Sequence, residues 1–490
     1  MSKKPASIRW NFIMNAILSM SSMIFPLITF KYVSAVLMPE GTGKVSFATS
    51  LISYFMLFAQ LGIPTYGIRA CAKVRDDKLE LTRTAHELLT INLVMSAVAY
   101  AALFLALWLV PRLQEDRALY ILVSSSILLN AIGMEWLYKA LEQYAYITVR
   151  SIVFKAIGLV GMFFLVREQK DYVIYGGITI FAASASNVFN FINAHKYISM
   201  RPVGGYCYRR HLKAVGVFFA MTCATTIYTN LDTIMLGVMK TNADVGYYHA
   251  AIRIKTILLS IVTSLGTVLL PRVSYYVQTG QMDEFNRISK KAINFVFLLA
   301  SPMMLYFILF ARQGIYFLSS AAYEGAVAPM QIIMPTLLII GLTNIMGIQM
   351  LVPLGKEKIV LYSQIAGAIT DLILNALLIP RFASAGAAFG TLMAEVAVFI
   401  VQMIALRKDI LPAYREIHYV RILLAMAVGT AASMWVTGLH LGSFVTLVIS
   451  AVCFFGAYGV VLLAMREPLV VEIFDQGLDF ARRKLIRRGR

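Results

Sequence analysis

Charge is what this sequence lacks. Asp, Glu, Lys and Arg make up 14% of its 490 residues, against roughly 25% in an ordinary soluble chain. Most of its surface is therefore not meant for water, which excludes a soluble enzyme and a disordered regulator. Cysteine is scarce too: Cys71, Cys207, Cys223 and Cys453 show no Cys-x-x-Cys spacing. That excludes a disulfide scaffold and a zinc site and leaves four small apolar side chains. The six histidines form no His-Glu-x-x-His cluster, and no P-loop is present, so neither a metallohydrolase nor a built-in ATPase is expected. Long polar loops are missing as well. The adjacent Glu115 and Asp116 sit in a short turn and read as solvated rather than as an acid–base pair.

What fills the chain is apolar sequence, 59% hydrophobic with a mean hydropathy of +0.73. A helix needs ~20 apolar residues to cross a bilayer. Fourteen segments qualify, at about 10–36, 45–68, 87–110, 118–138, 146–166, 173–194, 214–238, 247–271, 291–311, 327–352, 359–379, 385–405, 420–438 and 442–465. Met1 to Arg9 is short and basic, and the run after it reads as a first span rather than a removed signal. Alternate loops differ sharply in charge. The terminus-side segments hold 31 Lys and Arg, the opposite loops 8, and the spans the remaining 5. By the positive-inside rule both termini are expected to be cytoplasmic. Most of the net +19 is thus a topology signal, and nucleic acid is not needed to explain it. Beyond Glu467 the residues Val470, Ile473, Phe474, Leu478, Ala481 and Leu485 recur at helical spacing, with Arg482, Arg483, Lys484, Arg487 and Arg488 at the end. This pattern suits an amphipathic helix on an anionic leaflet.

An internal repeat organises the spans. VLMPEGTGK (36–44) follows the first span and GVMKTNADVGY (237–247) the seventh, and aligning Gly43 with Gly246 sets an offset of 203. At that offset Arg69 meets Arg272, each at the inner end of its span. The expected architecture is an all-α integral membrane protein of about fourteen transmembrane helices. Two six-helix lobes in parallel repeat, 1–212 and 213–412, are followed by an additional helix pair, 413–466, and a basic amphipathic tail, 467–490.

Three stretches carry a family resemblance: GMEWLYKALEQYAYITVRS (133–151), NLDTIMLG with VGYYHAAIRIK (230–255), and NALLIPRFASAGAAFGTLMAE (375–395). In this order they resemble the bacterial lipid-linked oligosaccharide flippases, the polysaccharide-export branch of the multidrug/oligosaccharidyl-lipid/polysaccharide exporter superfamily. The resemblance implies two lobes around a central cavity and, as cargo, a polyprenyl-diphosphate-linked oligosaccharide moved from the inner to the outer leaflet by alternating access. It implies a transporter of the bacterial plasma membrane rather than an enzyme, with a cation gradient of H+ or Na+ as candidate driving force. Polysaccharide polymerase and assembly machinery are candidate partners. One departure is Ala383-Ser384, where many relatives carry glycine.

The spans hold five cations and four acids, and a charge at midplane costs at least ~2.5 kcal/mol, so it faces a cavity or a partner. Arg253, Lys255, Lys155, Arg150 and Lys31 are the candidate cavity cations for a diphosphate, Arg being suited to bidentate oxygen contacts. Asp232, Asp371, Glu395 and Glu135 are candidate coupling acids; equally, they pair with the cations and hold helices together. Glu135 has a local partner in Lys139, four residues on. Asn230, Asn375 and Tyr228 are candidate polar lining. Arg253 and Lys255 point about 200° apart on a helix, so at most one faces a cavity centre. Three alternatives remain. A cation-coupled multidrug antiporter of the same superfamily favours acidic cavity residues, a lipid II-type flippase shares the fold, and a membrane polymerase of glycan assembly needs external loops that are absent here.

Overall fold

The computed structural model describes residues 8–439, 441–472 and 474–475. Most of the basic tail, 476–490, lies outside the described residues, as do Lys3 and Lys4. The chain divides into two compact units, Met1–His249 and Ala250–Arg490. Among the described residues every regular element is helical.

The first unit contains α1 (Ile8–Gln60), α2 (Ile63–Lys73), α3 (Lys78–Leu109), α4 (Pro111–Glu115), α5 (Arg117–Gly133), α6 (Glu135–Ala140), α7 (Tyr144–Leu165), α8 (Tyr172–Ile180), α9 (Asn187–Asn193) and α10 (Arg209–Met239). Helix α11 (Asn242–Gln278) runs through the division. The second unit contains α12 (Met282–Leu309), α13 (Ala311–Leu318), α14 (Val327–Ile333), α15 (Thr336–Asn344), α16 (Glu357–Arg415), α17 (Tyr419–Met434) and α18 (Ser443–Ala464).

Local chemistry sets the breaks. Asp77 caps α3 by accepting the amides of Leu79 (2.9 Å) and Glu80 (3.1 Å), satisfying donors the helix start leaves open. Pro39 has no N–H and crowds the turn before it, so α1 breaks at Met38, which takes φ 57°. The chain reverses there. Tyr32, before the break, donates to the Val166 carbonyl at the end of α7 (2.8 Å). Lys44, after it, reaches Asp116 (3.0 Å), which also accepts from Tyr172 (2.7 Å), six residues past Val166. Residues 54 and 62 then descend along α10, with Tyr54 on the Ile227 carbonyl and Gly62 against Phe218. Helix α16 reverses likewise at Ala383, φ 47°. Its arms lie antiparallel, with Gln402 donating to Ser363 (3.1 Å), Gly390 against Asn375 and Gly386 against Leu378.

Two polar layers close the first unit at opposite ends. One joins Lys44, Asp116, Tyr172 and the Lys240 carbonyl, which accepts from Arg112 at 2.8 Å. The other joins Arg75 with Glu142 (3.0 Å), and His86 with the Ser199 carbonyl (2.8 Å). The loops with few basic residues thus share one end and the basic loops the other, as the loop charges require.

The protein is a multi-pass helical membrane protein. Among the described residues nine helices are long and apolar enough to cross a bilayer, and eleven if two bent pairs each count as one span. The expected count of fourteen is not reproduced by length and composition. Helices α1 and α16 each join two expected segments across a reversal, and α11, which carries Arg253 and Lys255, is not among those that qualify. Helix α18 turns Val452 (70% exposed) and Val460 (67%) outward, an arrangement suited to lipid and not to water. In the second unit an aromatic cluster ties α12 to α18. Tyr306 stacks on Phe310 (4.9 Å), meets Phe454 (5.6 Å) and donates to the Leu447 carbonyl (2.7 Å). Such polar and aromatic contacts hold helices together where burial in lipid gives no hydrophobic drive.

Candidate functional site

Three of the expected charges lie on α6 and α7 of the first unit. Arg150, on α7, is 9% exposed and donates to the Ser186 carbonyl (2.5 Å) and to Asn187 Oδ1 (3.3 Å). A π-helical turn at residues 181–185 precedes that carbonyl and shifts the helix register so that Ser186 faces α7. Asn187 passes the bonding on to Asn130 (3.2 Å), and Asn130 reaches Ser184 (3.2 Å). Gly133 makes room for this chain, since a Cβ there would lie 2.6 Å from Asn187 Cγ. Five residues along α7, Lys155 donates to Ser21 (3.0 Å) and Ser22 (2.8 Å) of α1. Glu135 pairs with Lys139 (2.8 Å). The result is a cation-bearing polar interior: Arg150 and Lys155 are each held by carbonyl, amide or hydroxyl groups of neighbouring segments. Lys31 is exposed on α1, nine residues beyond this group.

On α10, Asn230 donates to the Thr226 carbonyl (3.1 Å) and Tyr228 is half-buried. Asp232 is 5% exposed and accepts from Tyr248.

In the second unit, Ile254 is the buried residue of the α11 trio, 6% exposed and turned towards Gly314. Arg253 and Lys255 flank it on opposite sides, both half-buried. The reversal of α16 sets the arm bearing Asp371 and Asn375 against the arm bearing Thr391 and Glu395, all four nearly or fully buried. Gly390 fits where it does because a Cβ would drive into Asn375 Oδ1 and sit 3.3 Å from Asp371 Oδ1. Asp371 and Asn375 on one arm thus meet Gly390 on the other, with the buried Thr391 and Glu395 next along that second arm. Among the described residues no group of three or more His, Cys, Asp or Glu side chains is placed to hold a metal ion.

Two features escaped the sequence. The first is a polar seam in the basic layer of the first unit. Glu87 is fully buried and accepts from the Cys207 amide (2.5 Å), Arg210 Nε (2.8 Å) and His211 Nε2 (2.7 Å). His211 Nδ1 meets the Tyr66 hydroxyl (2.8 Å), and Arg210 also bridges to Glu80. His86 and Arg83 hold the linker before α10 through Tyr206 (3.0 Å) and the Gly204 carbonyl (3.1 Å). The only signal in the sequence was an acid at the boundary of an expected span. The second feature is a crossing of backbones. Gly43 packs against the Asn242 carbonyl and Gly246 against the Pro39 carbonyl. Residues 39 and 43 map onto 242 and 246 at the same offset of 203, so the contact is self-complementary, as across a two-fold axis.

Residues 8–277, more than half of the chain, match the family described as polysaccharide biosynthesis protein. The chain belongs to that family. Residues 218–377 also match the MatE family. A protein of Escherichia coli (strain K12) named "Putative O-antigen transporter" is 24% identical over 411 residues, covering 84% of this chain and 99% of its own length. One of the same name from Shigella dysenteriae is 23% identical, covering 79% and 97%. Among solved structures, the lipid II flippase MurJ in an inward closed conformation aligns with a TM-score of 0.72 at 15% identity, over 95% of this chain and 99% of that one. An inward-facing multidrug resistance MATE family transporter aligns with a TM-score of 0.61 at 13% identity, over 82% and 99%. At these identities the structural likeness concerns the fold.

Proposed function

We propose that this chain is a flippase that moves polyprenyl-diphosphate-linked oligosaccharide from the inner to the outer leaflet by alternating access, for cell-surface polysaccharide biosynthesis. The observation that carries the reading is the cation-bearing polar interior around Arg150 and Lys155 in a chain of the polysaccharide biosynthesis family. The full-length similarity to proteins named as O-antigen transporters supports it. A diphosphate carries several negative charges through hydrocarbon, and preplaced Lys, Arg and hydroxyl donors lower that barrier. Moving a lipid across the bilayer makes and breaks no covalent bond, so the chain acts as a transporter and not as an enzyme.

The finer parts of the proposal are these. The protein resides in the bacterial inner membrane with both termini cytoplasmic, and the six-span lobes 1–212 and 213–412 alternate access. Arg253, Lys255 and Lys31 add to the cationic path, and Asp371, Asn375 and Glu395 form the candidate site of a coupling cation, H+ or Na+. Polysaccharide polymerase is the natural partner, since it consumes the flipped unit. A multidrug antiporter is the second reading, favoured by the MatE match. An exporter of organic cations needs acidic rather than basic interior groups, and the first-unit interior is basic.

Deleting the gene tests the reading in cells. The flippase account expects lipid-linked oligosaccharide to accumulate on the inner leaflet while surface polysaccharide is lost. Normal surface polysaccharide with heightened sensitivity to cationic drugs refutes it in favour of the antiporter. Asp371→Asn tests the coupling site, and transport whose ion dependence is unchanged removes Asp371 from it.

A further inference from the structure

In the second unit four helix ends converge: the start of α12, the end of α16, the start of α17 and the chain just beyond α18. They enclose a cavity of about 490 Å³, lined among others by Lys290, Lys291, Asn294, Arg415, His418 and Glu467. The charges in it are not cancelled equally. Glu467 is turned into the fold, 1% exposed, and is occupied by Asn294 Nδ2 (3.0 Å) and the Val470 amide (2.8 Å). Lys290 reaches Glu416 at 2.6 Å and Lys291 reaches Glu472 at 2.8 Å. Both of these carboxylates are well exposed, and ion pairs in such positions are held weakly, so an incoming anion displaces them readily. Arg415 makes no ion pair with any described residue. Asn294 Oδ1 is buried and lacks a donor.

The surroundings of the cavity identify what it takes. Phe297 holds Tyr414 (5.8 Å) and Tyr419 (5.5 Å) edge-on beside it, the aromatic signature of a membrane–water boundary. From that boundary α17 turns Val420 (69% exposed) and Leu423 (60%) outward. The ligand therefore has an anionic head that meets Lys and Arg, and an apolar body that continues along α17. A free phosphate would leave the apolar flank unused.

We propose that this cavity binds the phosphodiester headgroup of an anionic bilayer phospholipid, whose acyl chains lie along the exposed face of α17. Basic pockets between span ends recognise such headgroups by charge and by hydrogen bonds to phosphate oxygens. The inference does not depend on the flippase reading, because a bilayer phospholipid is not the proposed cargo.

The test uses the purified full chain in phosphatidylcholine nanodiscs, with phosphatidylglycerol as probe and retained lipid counted by native mass spectrometry. Phosphatidylglycerol is expected to be retained at least ~10-fold over phosphatidylcholine. Lys290→Gln combined with Arg415→Gln should abolish that preference, and Arg415→Lys should keep it. Both positions lie at the surface, and an unchanged elution profile verifies folding. Equal retention of the two lipids overturns the proposal, as does a preference that survives the double substitution. Displacement by equimolar inorganic phosphate would make this a free-anion site, and preferential capture of polyprenyl diphosphate would make it a cargo site; either result overturns the assignment to phospholipid.

Discussion

Gly43→Ala is the most informative single perturbation of the backbone crossing. A Cβ at residue 43 overlaps the Asn242 carbonyl oxygen and sits 2.7 Å from its carbon and 2.9 Å from the Gly246 amide. All three are backbone atoms of a helix start, so no side chain can swing away. Ordinary contact begins near ~3.4 Å, so the two stretches of backbone must separate by more than ~1 Å. Overpacking of this kind costs ~1–3 kcal/mol, which shifts a two-state equilibrium about 5- to 150-fold. The sign is fixed by geometry: the crossing opens. The natural reporter is the pair Glu40 and Asn242, joined across the crossing at 3.1 Å. With both changed to cysteine in a background lacking the four native cysteines, the pair should cross-link quickly in the parent and at least ~5-fold more slowly with Gly43→Ala. Gly246→Ala should do the same, since its Cβ lies 2.9 Å from the Pro39 carbon. Unchanged cross-linking rates at equal protein levels would refute the reasoning.

Other expectations follow from the same contacts. Glu87→Gln weakens three hydrogen bonds, leaving His211 without a carboxylate and Arg210 with Glu80 alone; a loss of ~1–3 kcal/mol should appear as a lower Tm, and an unchanged Tm contradicts the seam. Lys155→Ala should reduce translocation at wild-type protein levels while Lys155→Arg largely restores it; equal activity of all three means Lys155 does not meet the cargo. Ala383→Gly should stabilise the protein by ~1 kcal/mol, because Ala383 holds φ 47°, a region costly to a residue with a Cβ; a lower Tm would show that the Ala383 side chain packs favourably enough to outweigh that strain.

How much was legible in the sequence differs from residue to residue. Pro39 lies in the VLMPEGTGK stretch just after the first expected span, and the structure breaks at the residue before it. At Ala383 the chain reverses at a positive φ without a glycine, so residue type does not announce the turn. That the arm bearing Glu395 packs on the arm bearing Asp371 and Asn375 follows from a tight antiparallel hairpin, and the short turn between the two expected spans foreshadowed one. Arg150 was recognisable as a cation in a span. Its bond to the Ser186 carbonyl was not, because a π-helical turn in a neighbouring helix leaves no periodic mark in the sequence. Glu87 escaped because its partners, Arg210 and His211, are more than 120 residues away, and no spacing rule links charges across helices. The glycine alignment at offset 203 was visible, yet only coordinates show Gly43 and Gly246 in contact.

The role proposed for the interior around Arg150 and Lys155 is to move a lipid-linked diphosphate oligosaccharide across a bilayer. Its direct test is reconstitution of the full chain in liposomes with fluorescent polyprenyl-diphosphate oligosaccharides, measuring how much label becomes accessible in the opposite leaflet over time. The account predicts translocation that depends on the protein and falls sharply with Arg150→Ala and Lys155→Ala combined. No translocation for several different sugars, with export of organic cations by the same preparation, would contradict it.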